Sequence, residues 1–377
     1  MNKSLLINYG GQGCIFNPSI PCKGEKKTKK TKKANEISKI LFKDDSANRE
    51  FRMNKMIKKI EGYEDWCVLW EIKCKTPSYS KLKEISEFDK CISQKNKKML
   101  KKSKKKLSYK KKYTMLKGPF GGELIENHVD EITNSSTFKN KKLFINFFLK
   151  IFSYIHSLFI GLVELNNNNI CHQDINTRNI LYKNNQLYFI DFGLSSKFSN
   201  KKENIKRLKI AYNNDRIYDS FPYDYTLYHP TMNKKNLKDF KNEYGDFNKN
   251  YFRIHHDDYL NIHTNVLNRD KLNEEITHHM KQIIDGDYNE NIETIIKSLD
   301  VYSLGYIIPQ ILYDTFIKNN IPLSRLKLFC LSSEISEHIE LFKRMTEYHS
   351  RDRISPESAL EIYTELQSKN KFKSVFQ

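Results

Sequence analysis

Closely spaced cysteines are missing from this chain. Its seven, Cys14, Cys22, Cys67, Cys74, Cys91, Cys171 and Cys330, are odd in number and never closer than seven positions apart. That scatter offers neither the paired spacing of a zinc ribbon nor the dense framework of a disulfide-stapled domain, so a reducing, intracellular, cytoplasmic compartment is expected. The stretch from Met1 to Tyr9 has one lysine and too short an apolar run for a secretory signal. No uninterrupted apolar run of membrane-spanning length occurs either: the nearest, Leu143 to Leu165, is broken by Asn146, Lys150, His156 and Glu164. Its apolar residues Phe144, Phe147, Phe148, Ile151, Ile155, Leu158, Phe159 and Leu162 recur at helical spacing, which predicts a buried core helix and no transmembrane segment. Acids are scarce: 45 stand against 65 lysines and arginines, a net charge of +20 that favours an acidic partner such as nucleic acid, anionic lipid or an acidic protein surface. With 377 residues and 38% apolar content, a wholly disordered chain is excluded, and one large domain or two lobes can each bury a core.

Four textures follow one another, without an internal repeat. Short β-type runs (Leu5 to Asn8, Cys14 to Phe16, Ile37 to Phe42, Cys67 to Trp70) flank one charged helical stretch, Ser46 to Ile60, and read as a small sheet plus a helix. A basic interval runs from Lys81 to Lys112; within it Lys95 to Lys112 holds eleven lysines and no acid, the composition of a solvated segment. Helix is predicted over Lys139 to Leu165, then a strand-loop-strand passage over Ile170 to Leu194. Ser195 to Ser298 reads as an insertion with modest helical patterning around Leu272 to Ile284. Helices return over Ile292 to Phe316, Ser336 to Tyr348 and Pro356 to Ser368.

The strongest chemical signal is His172-Gln173-Asp174-Ile175-Asn176-Thr177-Arg178-Asn179, with Asp191-Phe192-Gly193 beginning twelve residues after Asn179. Phosphoryl transfer needs a carboxylate to take the proton of the attacking hydroxyl and oxygen ligands that hold magnesium against nucleotide phosphates. Asp174, Asn179 and Asp191 supply such a set.

These two spaced motifs resemble the protein kinase family, with its H-R-D-L-x-x-x-N catalytic loop and D-F-G metal loop. The resemblance implies an α+β, bilobal fold with a small antiparallel N-lobe carrying one main helix and a larger, mainly helical C-lobe. It implies ATP and Mg2+ as cofactors, Asp174 as catalytic base, Asn179 and Asp191 as metal ligands, and His172 packed against the metal loop. Gln173 departs from the family's arginine that receives an activation-loop phosphate, so constitutive competence is expected. Asn176 stands where serine/threonine kinases usually carry a lysine, and Arg178 is the candidate substitute in catalysis, as in many tyrosine kinases.

Upstream, Gly10 and Gly13 match two glycines of the family's G-x-G-x-x-G-x-V, Ile15 takes the valine's place, Gly11 adds freedom, and Asn8 replaces the first glycine. The turn is expected to cover the ATP phosphates with backbone amides. Lys39 and Glu50 are the expected phosphate-binding lysine and its helix glutamate; Lys43 is the rival lysine. Downstream, Asp300-Val301-Tyr302-Ser303-Leu304-Gly305 resembles D-x-W-S-x-G, whose aspartate braces the catalytic loop, and Arg353 resembles the last subdomain's arginine. Its usual partner, the glutamate of A-P-E, has no match; His229-Pro230-Thr231 lacks the acid. The histidines of the insertion, His255, His256, His263, His278 and His279, have no zinc-type spacing.

The resemblance thus covers nearly the whole chain apart from two insertions and implies one kinase domain over 1–377, with an N-lobe over about 1–118 (basic insertion 81–112) and a C-lobe over about 119–377 (insertion about 199–291). Gly10 to Pro18, the short Lys39-to-Glu50 spacing and Gly121-Gly122-Glu123-Leu124 resemble serine/threonine kinases of large nucleocytoplasmic DNA viruses, which would place the chain in host cytoplasm or a virion. An antiparallel N-lobe would bring the turns holding Lys23–Lys33 and Lys95–Lys112 together as a basic cap, a dock for an acidic partner or a solubilising surface. The expected activity is transfer of the ATP γ-phosphate to Ser/Thr hydroxyls of protein substrates. A pseudokinase scaffold and a small-molecule kinase are the alternatives.

Overall fold

The computed structural model describes residues 4–9, 13–25, 35–85, 87–91, 113–133, 138, 140–213, 221–222, 225, 292–347 and 350–375. Two compact units result: Met1–Gly122 with Ile190–Leu194, and Glu123–Phe189 with Ser195–Gln377.

The first unit is built on an antiparallel sheet of β1 (Leu5–Tyr9), β2 (Gly13–Asn17), β3 (Glu36–Leu41), β4 (Ile72–Lys75) and β5 (Thr114–Pro119), in the order β1-β2-β3-β5-β4. Alternation sorts its side chains onto two faces. Leu41 and Leu116 pack with Ala47 of helix α1 (Asp44–Ile57), beside Phe51 and Trp70. Ile40 and Met115 point the other way, into a cluster with Phe16, Ile20, Phe88 and Leu82 of helix α2 (Tyr79–Lys83). Asp44 and Asp45 occupy the first turn of α1, where the partial positive charge of the helix terminus favours them.

Two expectations change here. Cys67 to Trp70 contributes burial and a single bridge at Cys67 but no continuous strand, and Asn54 Oδ1 takes the Trp70 backbone N–H at 2.7 Å; the fourth strand starts at Ile72. The cysteines, scattered in sequence, converge in space: Cys14 is bonded to Cys91 and Cys22 to Cys74, with Cα separations of 6.2 and 5.9 Å. Cys67, Cys171 and Cys330 remain buried thiols. The second disulfide and a Lys23 N–H to Lys75 carbonyl bond of 2.9 Å join the starts of the β2–β3 and β4–β5 connections. The lysines at 26–33 and Lys95–Lys112 lie outside the described residues.

The second unit opens with β6 (Glu123–Leu124) and α3 (Ile125–Ile132). The predicted long helix is two, α4 (Lys141–Tyr154) and α5 (His156–Asn167), which break at Ile155, where ψ rises to 0°. By length and composition the pair suffices to cross a membrane, yet 56% of its most apolar window is buried inside the fold. Phe144, Phe148 and Phe152 pack there against Phe316, His338 and Tyr363. β7 (Ile170–Cys171) leads into the catalytic-type loop, and β8 (Ile180–Lys183) and β9 (Gln186–Phe189) follow it as a hairpin paired to β6. β10 (Ser196–Lys197) pairs with β7, with Ser196 opposite Cys171.

The expected insertion begins as a helix, α6 (Lys201–Asn213), on a core of Phe198, Phe221, Tyr225 and Ile292. Its helical patch at Leu272 to Ile284 and its histidines lie outside the described residues. Four helices close the unit: α7 (Ile292–Lys318), α8 (Leu323–Cys330), α9 (Ser336–Met345) and α10 (Pro356–Val375). Gly305 allows α7 to approach α9: a Cβ there would sit 2.6 Å from the Met345 Cβ.

Candidate active site

Lys39 and Glu50 meet, 11 residues apart in sequence, because β3 ends at Leu41 and α1 begins at Asp44. The Lys39 ammonium donates to both Glu50 carboxylate oxygens at 2.9 and 3.0 Å and to Asp191 Oδ2 at 2.9 Å. Lys43 is exposed just ahead of α1 and is not the lysine that the fold sets against Glu50. Glu50 is fully buried and also accepts from Trp70 Nε1 at 2.7 Å, while Asn54 Nδ2 donates to the Glu50 carbonyl at 2.8 Å. Asp191 has a left-handed backbone, φ 62°, and one of its oxygens accepts from the Gly193 N–H at 3.3 Å. Such backbone positions in non-glycine residues collect at functional sites.

The trio carries one positive and two negative charges. Burial works against the Lys39 ammonium, but Asp191 and Glu50 outweigh it and hold its pKa above the ordinary lysine value. Burial pushes the Glu50 carboxyl above the ordinary glutamate range against the pull of Lys39. A surplus negative charge beside Asp191, whose side chain stays 31% exposed, suits an incoming cation.

Gly13 opens β2, and a Cβ there would lie 2.1 Å from the Ile40 carbonyl oxygen, so strand pairing alone demands glycine. Ile15 pairs directly with Lys39 across β2 and β3. Gly10 and Gly11 lie outside the described residues.

In the second unit, Asp174 is gripped by two asparagines. Asn179 Nδ2 donates to Asp174 Oδ2 at 2.9 Å and to its carbonyl at 2.8 Å. Asn176 Nδ2 donates to Asp174 Oδ1 at 3.1 Å and to the same carbonyl at 3.0 Å. Each carboxylate oxygen is therefore oriented by a different amide. Behind the loop, the buried Asp300 accepts from the backbone N–H groups of His172 at 2.5 Å and Gln173 at 3.0 Å. His172 is buried against Phe189, and its Nδ1 accepts from the Asp174 N–H at 3.2 Å. Arg178 is exposed, its backbone N–H capped by Asn176 Oδ1 at 3.1 Å.

Residues 138–213 match the family model of protein tyrosine and serine/threonine kinases. Over 49 residues the chain is 45% identical to the probable serine/threonine-protein kinase cdc7 of Dictyostelium discoideum, a stretch covering 12% of this chain and 5% of that protein. The chain thus spans a small fraction of the length of the curated relative it matches. The matched family segment runs from Phe138 through the Asp174 loop and Asp191 into α6. Together with the antiparallel sheet and the helices, it agrees with a kinase-like α+β fold. Neither match is to a protein of a large DNA virus.

Magnesium takes oxygen ligands, and Asn179 and Asp191 each carry one of that kind. Both Asn179 Nδ2 hydrogen bonds go to Asp174, so its oxygen is the ligand atom that remains, and Asp191 brings a partly exposed carboxylate. The two residues belong to different units.

Arg353 is tied into the second unit by backbone and side-chain contacts. It donates to the Glu347 carbonyl at 2.7 Å and to Ser298 Oγ at 3.0 Å, and lies over the Tyr302 ring at 5.0 Å. Four residues that sequence reasoning gave no such part, Trp70, Asn176, Ser196 and Asn204, contact the expected site residues or their immediate neighbours. Asn176 alone had a signal: a short carboxamide where the resemblance puts a long cation.

Proposed function

We propose that this chain is an ATP-dependent protein kinase that transfers the γ-phosphate to Ser/Thr hydroxyls of protein substrates, in one bilobal domain over residues 1–377. The observation that carries the reading is Lys39 joined at once to a helix glutamate and to Asp191, 152 residues later in the chain. That combination serves no general need of a small sheet, whereas a nucleotide site requires a cation fixed where phosphates arrive.

Asp174 is the base: it takes the hydroxyl proton as the new O–P bond forms and the bond to the leaving ADP oxygen breaks. Its two oxygens are oriented beforehand by Asn176 and Asn179, which reduces the reorganisation needed at that moment. Lys39, steadied by Glu50, is assigned to the α- and β-phosphates, and Gly10, Gly11, Gly13 and Ile15 to the phosphate cover. Asn179 and Asp191 would hold Mg2+, which when bound neutralises charge on the phosphates. Arg178, exposed two residues after Asn176, is the candidate to steady the transferred phosphoryl.

The test is transfer of labelled γ-phosphate from ATP with magnesium to basic and acidic proteins by wild type, Asp174→Ala and Asp191→Ala. Phosphoserine or phosphothreonine from wild type, lost in both variants, supports the reading. Phosphotyrosine would reassign the specificity. No transfer by folded wild type would leave a nucleotide-binding or scaffolding protein.

A further inference from the structure

The head of the inserted segment reaches the catalytic-type loop. Gln173, next to Asp174, is 2% exposed and has a left-handed backbone, φ 61°. Its backbone N–H is held by Asp300, and its side-chain Nε2 donates to Ser196 Oγ and, at 3.2 Å, to Asn204 Oδ1. Ser196 Oγ in turn donates to Asn204 Oδ1 at 2.5 Å. Asn204, on the first turns of α6 and 1% exposed, also donates through Nδ2 to the Lys197 and Phe198 carbonyls, each at 3.2 Å.

Asn204 therefore uses its whole carboxamide: two bonds accepted, two donated, all from groups flanking the loop. Ser196 lies opposite Cys171 in the β7–β10 pair, one residue before the loop starts. A single buried amide thus fastens Gln173 from its side chain and holds β10, the strand paired with the one that leads into the loop. Every member of the set is uncharged, so holding Gln173 requires no added anion. An unmade bond would be costly, because the groups left behind are out of reach of water.

We propose that Asn204 is the positioning residue of the catalytic loop, acting through Gln173, so that α6, the start of the inserted segment, sets the geometry of Asp174 without a covalent modification. This rests on the kinase reading of the Asp174 loop.

The experiment uses the full chain with Asn204→Ala, the milder Ser196→Ala, Gln173→Leu and the Gln173→Leu/Asn204→Ala double variant. Three quantities are read: amide hydrogen exchange over residues 172–179, kcat, and KM for ATP. Asn204→Ala is expected to speed exchange in that loop while leaving α9 and α10 unchanged, and to lower kcat about 10- to 100-fold with KM for ATP within about twofold, the scale of a misplaced reacting group. Ser196→Ala should shift loop exchange and kcat in the same directions by less. In the Gln173→Leu background the change at 204 should lower kcat less than about twofold further. Unchanged loop exchange in both Asn204→Ala and Ser196→Ala overturns the proposal, as does an equal kcat loss at 204 in both backgrounds. Where Asn204→Ala does not fold, Ser196→Ala decides. A wild type that transfers no phosphate sinks the kinase reading, and the exchange data still decide whether Asn204 holds the loop.

Discussion

Lys39→Met should destabilise the first unit in a pH-dependent way. The ammonium is 5% exposed and compensates Glu50, which is fully buried, and Asp191. Removing one partner of a buried ion pair costs about 3–5 kcal/mol when the other stays charged. Glu50 can escape by protonating. Burial already lifts its pKa above the ordinary 4.5, and loss of Lys39 removes the main opposing pull. The sign follows: a carboxyl whose folded pKa exceeds its unfolded one gives stability that is present below pH 4.5 and lost as pH rises through the folded value. The deficit of Lys39→Met should therefore be greatest near pH 8 and shrink toward pH 5. Urea titrations followed by tryptophan fluorescence isolate this unit, since Trp66 and Trp70 are the only two tryptophans and both belong to it. Lys39→Met/Glu50→Gln should recover at least half of the loss at pH 8 and flatten the pH profile. A single variant within about 0.5 kcal/mol of wild type at pH 8, or a double variant no more stable than the single, would refute the charge argument.

Asp300→Ala strands two buried N–H groups, those of His172 and Gln173, and should cost about 2–6 kcal/mol at roughly 1–3 for each orphan, read by thermal unfolding of the second unit. Reducing Cys14–Cys91 and Cys22–Cys74, which close spans of 77 and 52 residues, should lower the stability of the first unit by about 2–4 kcal/mol for each bond. Peptide mapping without reductant checks the pairing, and recovery of four alkylated cysteines from native protein would contradict it. His128, stacked on Tyr182 at 3.4 Å, has its pKa lowered by burial, with Glu123 acting in the opposite direction. A depressed histidine gives stability that is present above its unfolded pKa of 6.5 and lost as pH falls, so wild type should weaken between pH 7 and 5 more steeply than His128→Gln in urea titrations.

The sheet and much of the candidate site were legible because they depend on short-range pattern. Alternation marked β1, β2 and β3, and Lys39, within the β-type run Ile37 to Phe42, leaves room for a turn before the helix that carries Glu50. Asp174, Asn179 and Asp191 stood out through fixed spacing along one loop and one hairpin. What escaped depends on neighbours distant in sequence. Cys14 and Cys91 become partners only when β2 packs against the helical residues 88–91 that follow α2. Asn204 becomes a loop fastener only because β10 pairs with β7. Cys67 to Trp70 looked like a strand because its apolar residues are truly buried, yet a side chain of α1 captured the backbone donor that a ladder would need.

Ile190–Leu194 belongs to the first unit although Glu123–Phe189 of the second precede it in the chain. On a ribosome, the N-terminal sheet therefore emerges with its lysine facing one carboxylate, and the second arrives only after β7, β8 and β9 have been made. A fragment ending at Gly122 would carry Lys39 and Glu50 as a neutral pair in place of a trio with surplus negative charge. The order of synthesis thus delays the charge state suited to a cation until the loop bearing Asp174 already exists.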